Sequence, residues 1–214
     1  MRRISPSRAR KKDEPLALVL ASRAMAAVVI YFVLHPDKAL HFRALQRVTR
    51  VSSRSLQHEM ARLEALGLVQ RERDGRLVRY RAVAGHPRWA VLREMVRQFA
   101  DPAELLRVAL ADVPGLDAAF IFGSCARGDM RADSDIDVFA VGDGLEDRDP
   151  ELALMAGTSE ASMLLGREVN VTRYTAKRLN ARRETGFIQS VLSGPKAWLV
   201  GDELALSSSP GGRA

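Results

Sequence analysis

The sharpest chemistry-bearing pattern in the chain is Gly123-Ser124 followed, ten residues on, by Asp135-Ile136-Asp137. The apolar run Asp117-Ala118-Ala119-Phe120-Ile121-Phe122 leads straight into the Gly-Ser pair, and Val138-Phe139-Ala140-Val141 follows the aspartates. Both runs read as strands. Side chains two apart on a strand share a face, so Asp135 and Asp137 are expected to project together while Ile136 packs in a core. Two convergent carboxylates suit Mg²⁺, a hard cation that keeps coordination positions open for phosphate oxygens. A pair of such ions about 4 Å apart can orient an attacking hydroxyl and stabilise a leaving pyrophosphate. Gly123 would let backbone approach phosphates closely, and Ser124 would donate hydrogen bonds to them from a helix N-terminus. The competing reading is a solvated acidic turn, since Asp129, Asp133, Asp135 and Asp137 are crowded together. Crowding without a cation is repulsive, and it leaves the Gly-Ser turn without a reason.

The string Phe122-Gly123-Ser124-Cys125-Ala126-Arg127-Gly128, followed by Ser134-Asp135-Ile136-Asp137, resembles the core of the nucleotidyltransferase superfamily that includes DNA polymerase beta and the small bacterial minimal nucleotidyltransferases. The resemblance implies a mixed sheet with flanking helices, Mg²⁺ and a nucleoside triphosphate. It makes Asp135 and Asp137 the catalytic and metal-binding candidates, and Gly123, Ser124 and Arg127 the nucleotide-binding ones. The superfamily usually supplies a third carboxylate from a later strand, between apolar neighbours. Here that slot reads Val169-Asn170-Val171. Asn170 can offer an oxygen to a metal, but it has no charge and cannot act as a base. Glu168 shares its face by strand periodicity and is the alternative donor. Loss of the third carboxylate should weaken hydroxyl activation more than nucleotide binding, so the expectation is a weak nucleotidyltransferase at most.

The elements ahead of this site have their own logic. The run from Ala17 to Leu34 is apolar nearly all round, as a central helix would be, and Pro36-Asp37 stop it. A short helix fits His41 to Val48, with Phe42, Leu45 and Val48 on one face. Ser52-Ser53 then cap a third helix, which buries Leu56, Met60, Leu63 and Leu66 and ends at Gly67. Arg54, Gln57 and His58 fall on its other face. Two extended runs flank Asp74-Gly75, a pair that favours a tight hairpin turn.

This order, with Leu63-Glu64-Ala65-Leu66-Gly67-Leu68-Val69, resembles the winged helix-turn-helix of bacterial transcriptional regulators. The resemblance implies that Arg54, Gln57 and His58 meet base edges in a major groove. Arg73, Arg76 and Arg79 of the wing would meet phosphates or the minor groove. The alternative is a solvated arginine surface on a fold that mediates dimerisation or protein contact. The composite resembles bacterial regulators that carry a nucleotidyltransferase domain.

The expected fold class is α/β (α+β) in two domains: an N-terminal winged helix-turn-helix, then a nucleotidyltransferase-fold mixed sheet with flanking helices. The expected divisions are a basic disordered arm (1–14), the DNA-binding domain (15–84), a linker helix (85–102), the nucleotidyltransferase-like domain (103–204) and a disordered tail (205–214).

Charge sharpens the division. The chain has 214 residues and a net charge of +7, but residues 1–100 carry twenty-one basic and eight acidic side chains against twelve and eighteen in the remainder. A basic front and an acidic back suggest different partners. Cys125 is the only cysteine, so no disulfide forms within the chain, and the four histidines show no zinc-site spacing. The basic start and the apolar run from Leu16 to Leu34 imitate a signal peptide or membrane span. Arg23 interrupts the run and no cleavage motif follows it, so a cytoplasmic location is expected. The expected partners are double-stranded DNA, a nucleoside triphosphate and a second copy of the chain, with a protein partner as the antitoxin-like alternative.

Overall fold

The computed structural model of the chain describes residues 14–75, 77–127 and 134–208. The apolar run after the basic start forms two helices, α1 (Pro15–Val19) and α2 (Arg23–Leu34), instead of the single helix expected over 17–34. Ala21 takes a left-handed φ of 53° between them. The Ser22 hydroxyl then caps α2, accepting from the Met25 amide at 3.0 Å. A serine in an apolar run is a capping signal that the average hydrophobicity conceals. The same hydroxyl donates to Glu59 at 2.6 Å, and Arg62 donates to that carboxylate at 2.7 Å. Glu59 is thereby the satisfied exception in a buried helix face. Every residue of α2 from Met25 to Leu34 is buried.

A two-residue strand, β1 (Leu40–His41), precedes α3 (Phe42–Thr49) and α4 (Ser53–Ala65). Ser52 caps α4, accepting from the Ser55 amide at 3.3 Å. Strands β2 (Val69–Asp74) and β3 (Leu77–Ala82) pair antiparallel around Gly75, whose φ of 60° a tight turn requires. β1 joins the free edge of β3, giving the order β1-β3-β2.

Next come α5 (Pro87–Phe99) and α6 (Pro102–Leu110), the latter capped by Asp101. The segment expected as a linker is anchored on both sides. The Trp89 indole donates to the Leu68 carbonyl at 3.0 Å, and Arg93 pairs with Glu160 at 2.8 Å.

The back half is a mixed four-stranded sheet. β4 (Ala118–Phe122) runs into α7 (Gly123–Arg127), and β5 (Ile136–Val141) lies antiparallel to β4. A 3₁₀ turn (Asp143–Glu146) and α8 (Arg148–Leu165) cross over to β6 (Val169–Tyr174), which is parallel to β5. α9 (Ala176–Ala181) and α10 (Gly186–Ser193) lead to β7 (Ala197–Val200). The strand order is β6-β5-β4-β7. α11 (Glu203–Ser208) follows and buries Leu206, so helix extends into the stretch expected as tail from 205.

Alternation along the central strands separates two cores. Ala118, Phe120, Phe139 and Val141 face Leu179, Ile188, Val191 and Leu206 on one side of the sheet. Ala119, Ile121, Ile136, Val138 and Ala140 face the other side. There they join a cluster that runs unbroken through Leu105 and Val96 to Val28 and Leu56. Charge divides the chain near residue 100, but its hydrophobic core does not divide there. Polar contacts follow the same route: Arg50 in the α3–α4 turn donates to the Leu199 carbonyl at 3.2 Å, and Arg107 of α6 donates to the Val48 carbonyl at 3.3 Å.

Candidate active site

β4 delivers its last residue, Phe122, opposite Asp137 in the antiparallel register with β5. Cross-strand partners share a face, so the Asp137 carboxylate lies beside the point where β4 turns into α7. Gly123 makes that turn with a φ of 75°. A Cβ on Gly123 would stand 3.2 Å from Asp137 Oδ2. Glycine is thus needed twice, for a left-handed backbone and for the close approach of a carboxylate.

Asp135 sits just before β5 and is exposed, whereas Asp137 is half-buried within the strand. The Asp137 pKa is raised, first by burial and then by the negative charge of Asp135. Both causes disfavour a second anion, and a divalent cation between the two would relieve them. In the parallel register of β6 with β5, Asn170 lies directly opposite Asp137. The slot read from sequence as the third position is therefore next to the second. Two carboxylates and an amide oxygen are hard oxygen groups of the kind that could hold Mg²⁺. Among the described residues no three His, Cys, Asp or Glu side chains gather as a metal-binding group. Asp129 and Asp133 lie outside the described residues.

Glu168 is exposed. It precedes β6 and lines a groove with Val169, Val171 and Arg173 against α8. Its backbone carbonyl accepts from the Ile136 amide at 2.8 Å, so Glu168 and Asp135 each stand one residue ahead of their paired strands. Ser124 is half-buried in the first turn of α7 and Arg127 is exposed at its end. Cys125 is half-buried between them; burial pushes its thiol pKa up, the opposite of what a nucleophile needs.

Sequence reasoning missed two residues around this site. The Arg167 guanidinium donates to the Ser134 carbonyl, with its Nε at 2.7 Å, and so ties down the backbone one residue ahead of Asp135. Phe187, at the start of α10, meets Phe122 edge-on with ring centroids 6.2 Å apart. Neither has a local signal, because each acts across a large sequence separation.

In the front half, Arg54, Gln57 and His58 are all exposed on α4, while Leu56, Glu59, Met60 and Leu63 are buried. The wing arginines are less uniform than expected. Arg73 is exposed opposite Val78, and half-buried Arg79 is opposite Glu72. Successive strand positions alternate, so these two project from opposite faces of the hairpin. Arg76 lies outside the described residues. Arg71 and Arg81 are engaged by Glu64 at 2.6 Å and Glu72 at 3.0 Å. No helix among the described residues is long and apolar enough to cross a membrane.

Residues 105–191 match the family model described as "Polymerase beta, Nucleotidyltransferase". No curated protein and no solved structure gives a significant match to the chain. The matched span runs from α6 into α10 and contains the Gly123 turn, both aspartates and Asn170, so it supports a nucleotidyltransferase domain over residues 105–191.

Proposed function

We propose that the back half binds a Mg²⁺-nucleoside triphosphate through Asp135, Asp137 and Asn170, with Ser124 and Arg127 toward the phosphates, and transfers nucleotides weakly. The observation that carries this reading is the three-strand register. Phe122 opposite Asp137 and Asp137 opposite Asn170 bring the Gly-Ser turn beside Asp137 and Asn170. When bound, Mg²⁺ supplies Lewis acidity toward phosphoryl oxygens. The chain's own residues hold it, orient the phosphates and set the charge around them. Arg167 fixes the backbone leading to Asp135. Asn170 supplies an oxygen but accepts no proton from an attacking hydroxyl, which favours occupancy over turnover.

The front half, in this reading, is a winged helix-turn-helix that binds double-stranded DNA. α4 presents Arg54, Gln57 and His58, and the β2–β3 hairpin with Arg73, Arg76 and Arg79 is the wing. Support comes from the element order, the exposed polar face of α4 and the basic charge of residues 1–100. Nucleotide occupancy would bias DNA binding through the shared core and through the contacts of Arg50 with Leu199 and of Arg107 with Val48. The protein would then be a cytoplasmic transcriptional regulator, and a homodimer on a two-fold operator.

A second reading makes the chain an enzyme first, adding a nucleotide to a protein, RNA or small-molecule hydroxyl, with the front half as a docking module. The family match favours it. Operator selection with purified protein, with and without Mg-ATP, separates the two. Sequence-selective binding that shifts with Mg-ATP supports the regulator. No selectivity, together with labelled nucleotide appearing on an acceptor, supports the transferase.

A further inference from the structure

Phe187 is 51% exposed, although its neighbours on α10, Ile188 and Val191, are buried in the core beneath the sheet. It is therefore not a core residue that the helix failed to cover. α10 is anchored by Ile188 and Val191, and Phe187 stands beside that anchor in its first turn. Among the described residues the ring has one aromatic contact, an edge-on approach to Phe122 with an interplanar angle of 76°. Phe122 is the cross-strand partner of Asp137 and the residue before Gly123. Space beside this first turn is open: a Cβ on the preceding Gly186 would meet nothing within 4 Å. The turn leading into α10 also carries Arg182 and Arg183, both exposed.

A nucleotide holds its base one sugar away from its phosphates. Phe187 stands one aromatic ring away from the carboxylate assigned to the cation that those phosphates would share. An exposed aromatic face beside a phosphate site suits a base, because every base has a π-face to stack. We propose that Phe187 is the platform on which the base of the bound nucleoside triphosphate stacks, with Phe122 holding the platform's edge. This rests on the nucleotide reading given above. Stacking does not read base edges, so the platform would select for possession of a base and rank purines above pyrimidines by area. It would not choose one nucleotide.

The test compares Mg-ATP with Mg-tripolyphosphate, which has the phosphates and no base, on the full chain by calorimetry. Phe187→Ala is expected to weaken Mg-ATP binding by roughly 5- to 100-fold and leave Mg-tripolyphosphate unchanged. Phe187→Trp should restore Mg-ATP binding, and its added fluorescence should be quenched by ATP but not by tripolyphosphate. Phe187→Leu, which keeps apolar bulk without a π-face, should behave like the alanine variant. Equal weakening of both ligands by Phe187→Ala would make the ring a structural support and overturn the proposal, and so would no effect on Mg-ATP. If wild-type protein binds neither ligand, the nucleotide reading itself fails and the platform fails with it.

Discussion

The two halves of this chain hold their candidate residues in opposite ways. In the back half Gly123, Asp137 and Asn170 come from β4's end, β5 and β6, and strand register forces them together. In the front half Arg54, Gln57 and His58 lie along one exposed helix face and make no convergent site. At this convergence the surroundings alter a group's chemistry: burial, and then the charge of Asp135, raise the Asp137 pKa. Exposed groups on one helix are arranged by the partner that meets them. The first kind of site speaks about catalysis from the chain alone, and the second speaks only about which surface a partner would meet.

Removing the convergent groups should have the largest effect. Asp135→Ala with Asp137→Ala is expected to weaken Mg-dependent ATP binding by about 100-fold or more, since two charged ligands are lost. DNA affinity without nucleotide should be unchanged in the same protein. A loss of both by calorimetry and gel shift would mean that the carboxylates support the fold of the whole chain and are not specific to nucleotide binding.

On the dispersed side, Arg54→Ala should cost about 1–3 kcal/mol on the selected operator and relax its specificity. Arg73→Ala should instead weaken all sequences alike and reduce the salt slope by about one. Identical behaviour of the two variants in salt-dependent binding would break the distinction between base-reading and phosphate-contacting residues.

A smaller effect is expected at the turn. Gly123→Ala puts a Cβ into a left-handed conformation, at about 1–2 kcal/mol, and 3.2 Å from Asp137 Oδ2. Thermal melting should fall and Mg-ATP affinity with it, while Gly75→Ala in the hairpin, with nothing within 4 Å, should affect melting alone.

The subtlest difference is in pH dependence. The Asp137 pKa is raised on folding, so its ionisation opposes stability. That cost is absent below the ordinary carboxylate range and fully present above the raised value. Asp137→Asn should therefore raise the melting temperature of the metal-free protein at neutral pH but not in acid. Wild-type Mg-ATP binding should weaken as pH falls through the raised value, because protonated Asp137 no longer ligates. A neutral-pH destabilisation by Asp137→Asn would remove the electrostatic account of this site.

Much of this was legible in the residues. The flanking runs form the expected strands, and the Val169-Asn170-Val171 slot falls in β6, but Asp135 stands one residue ahead of β5 and not on it. The β2–β3 hairpin turns at Gly75, just after Asp74 pairs with Leu77, because the turn chemistry is local. What escaped reading was non-local or concealed. Ser22 breaks the first apolar run because one cap outweighs an average hydrophobicity. Phe187 and Arg167 reach the site from helix and loop positions whose local sequence says nothing about their targets. The shared core was hidden because charge is a property of surfaces, and its division near residue 100 says nothing of where apolar residues meet.

The central claim is that Asn170 lets this site hold a Mg-nucleotide while limiting its transfer. Its most direct test measures Mg-ATP affinity and labelled nucleotide transfer in the wild type beside Asn170→Asp. Similar affinities with transfer raised in Asn170→Asp would bear the claim out. Wild-type transfer as fast as that of Asn170→Asp, or no Mg-ATP binding by either protein, would contradict it.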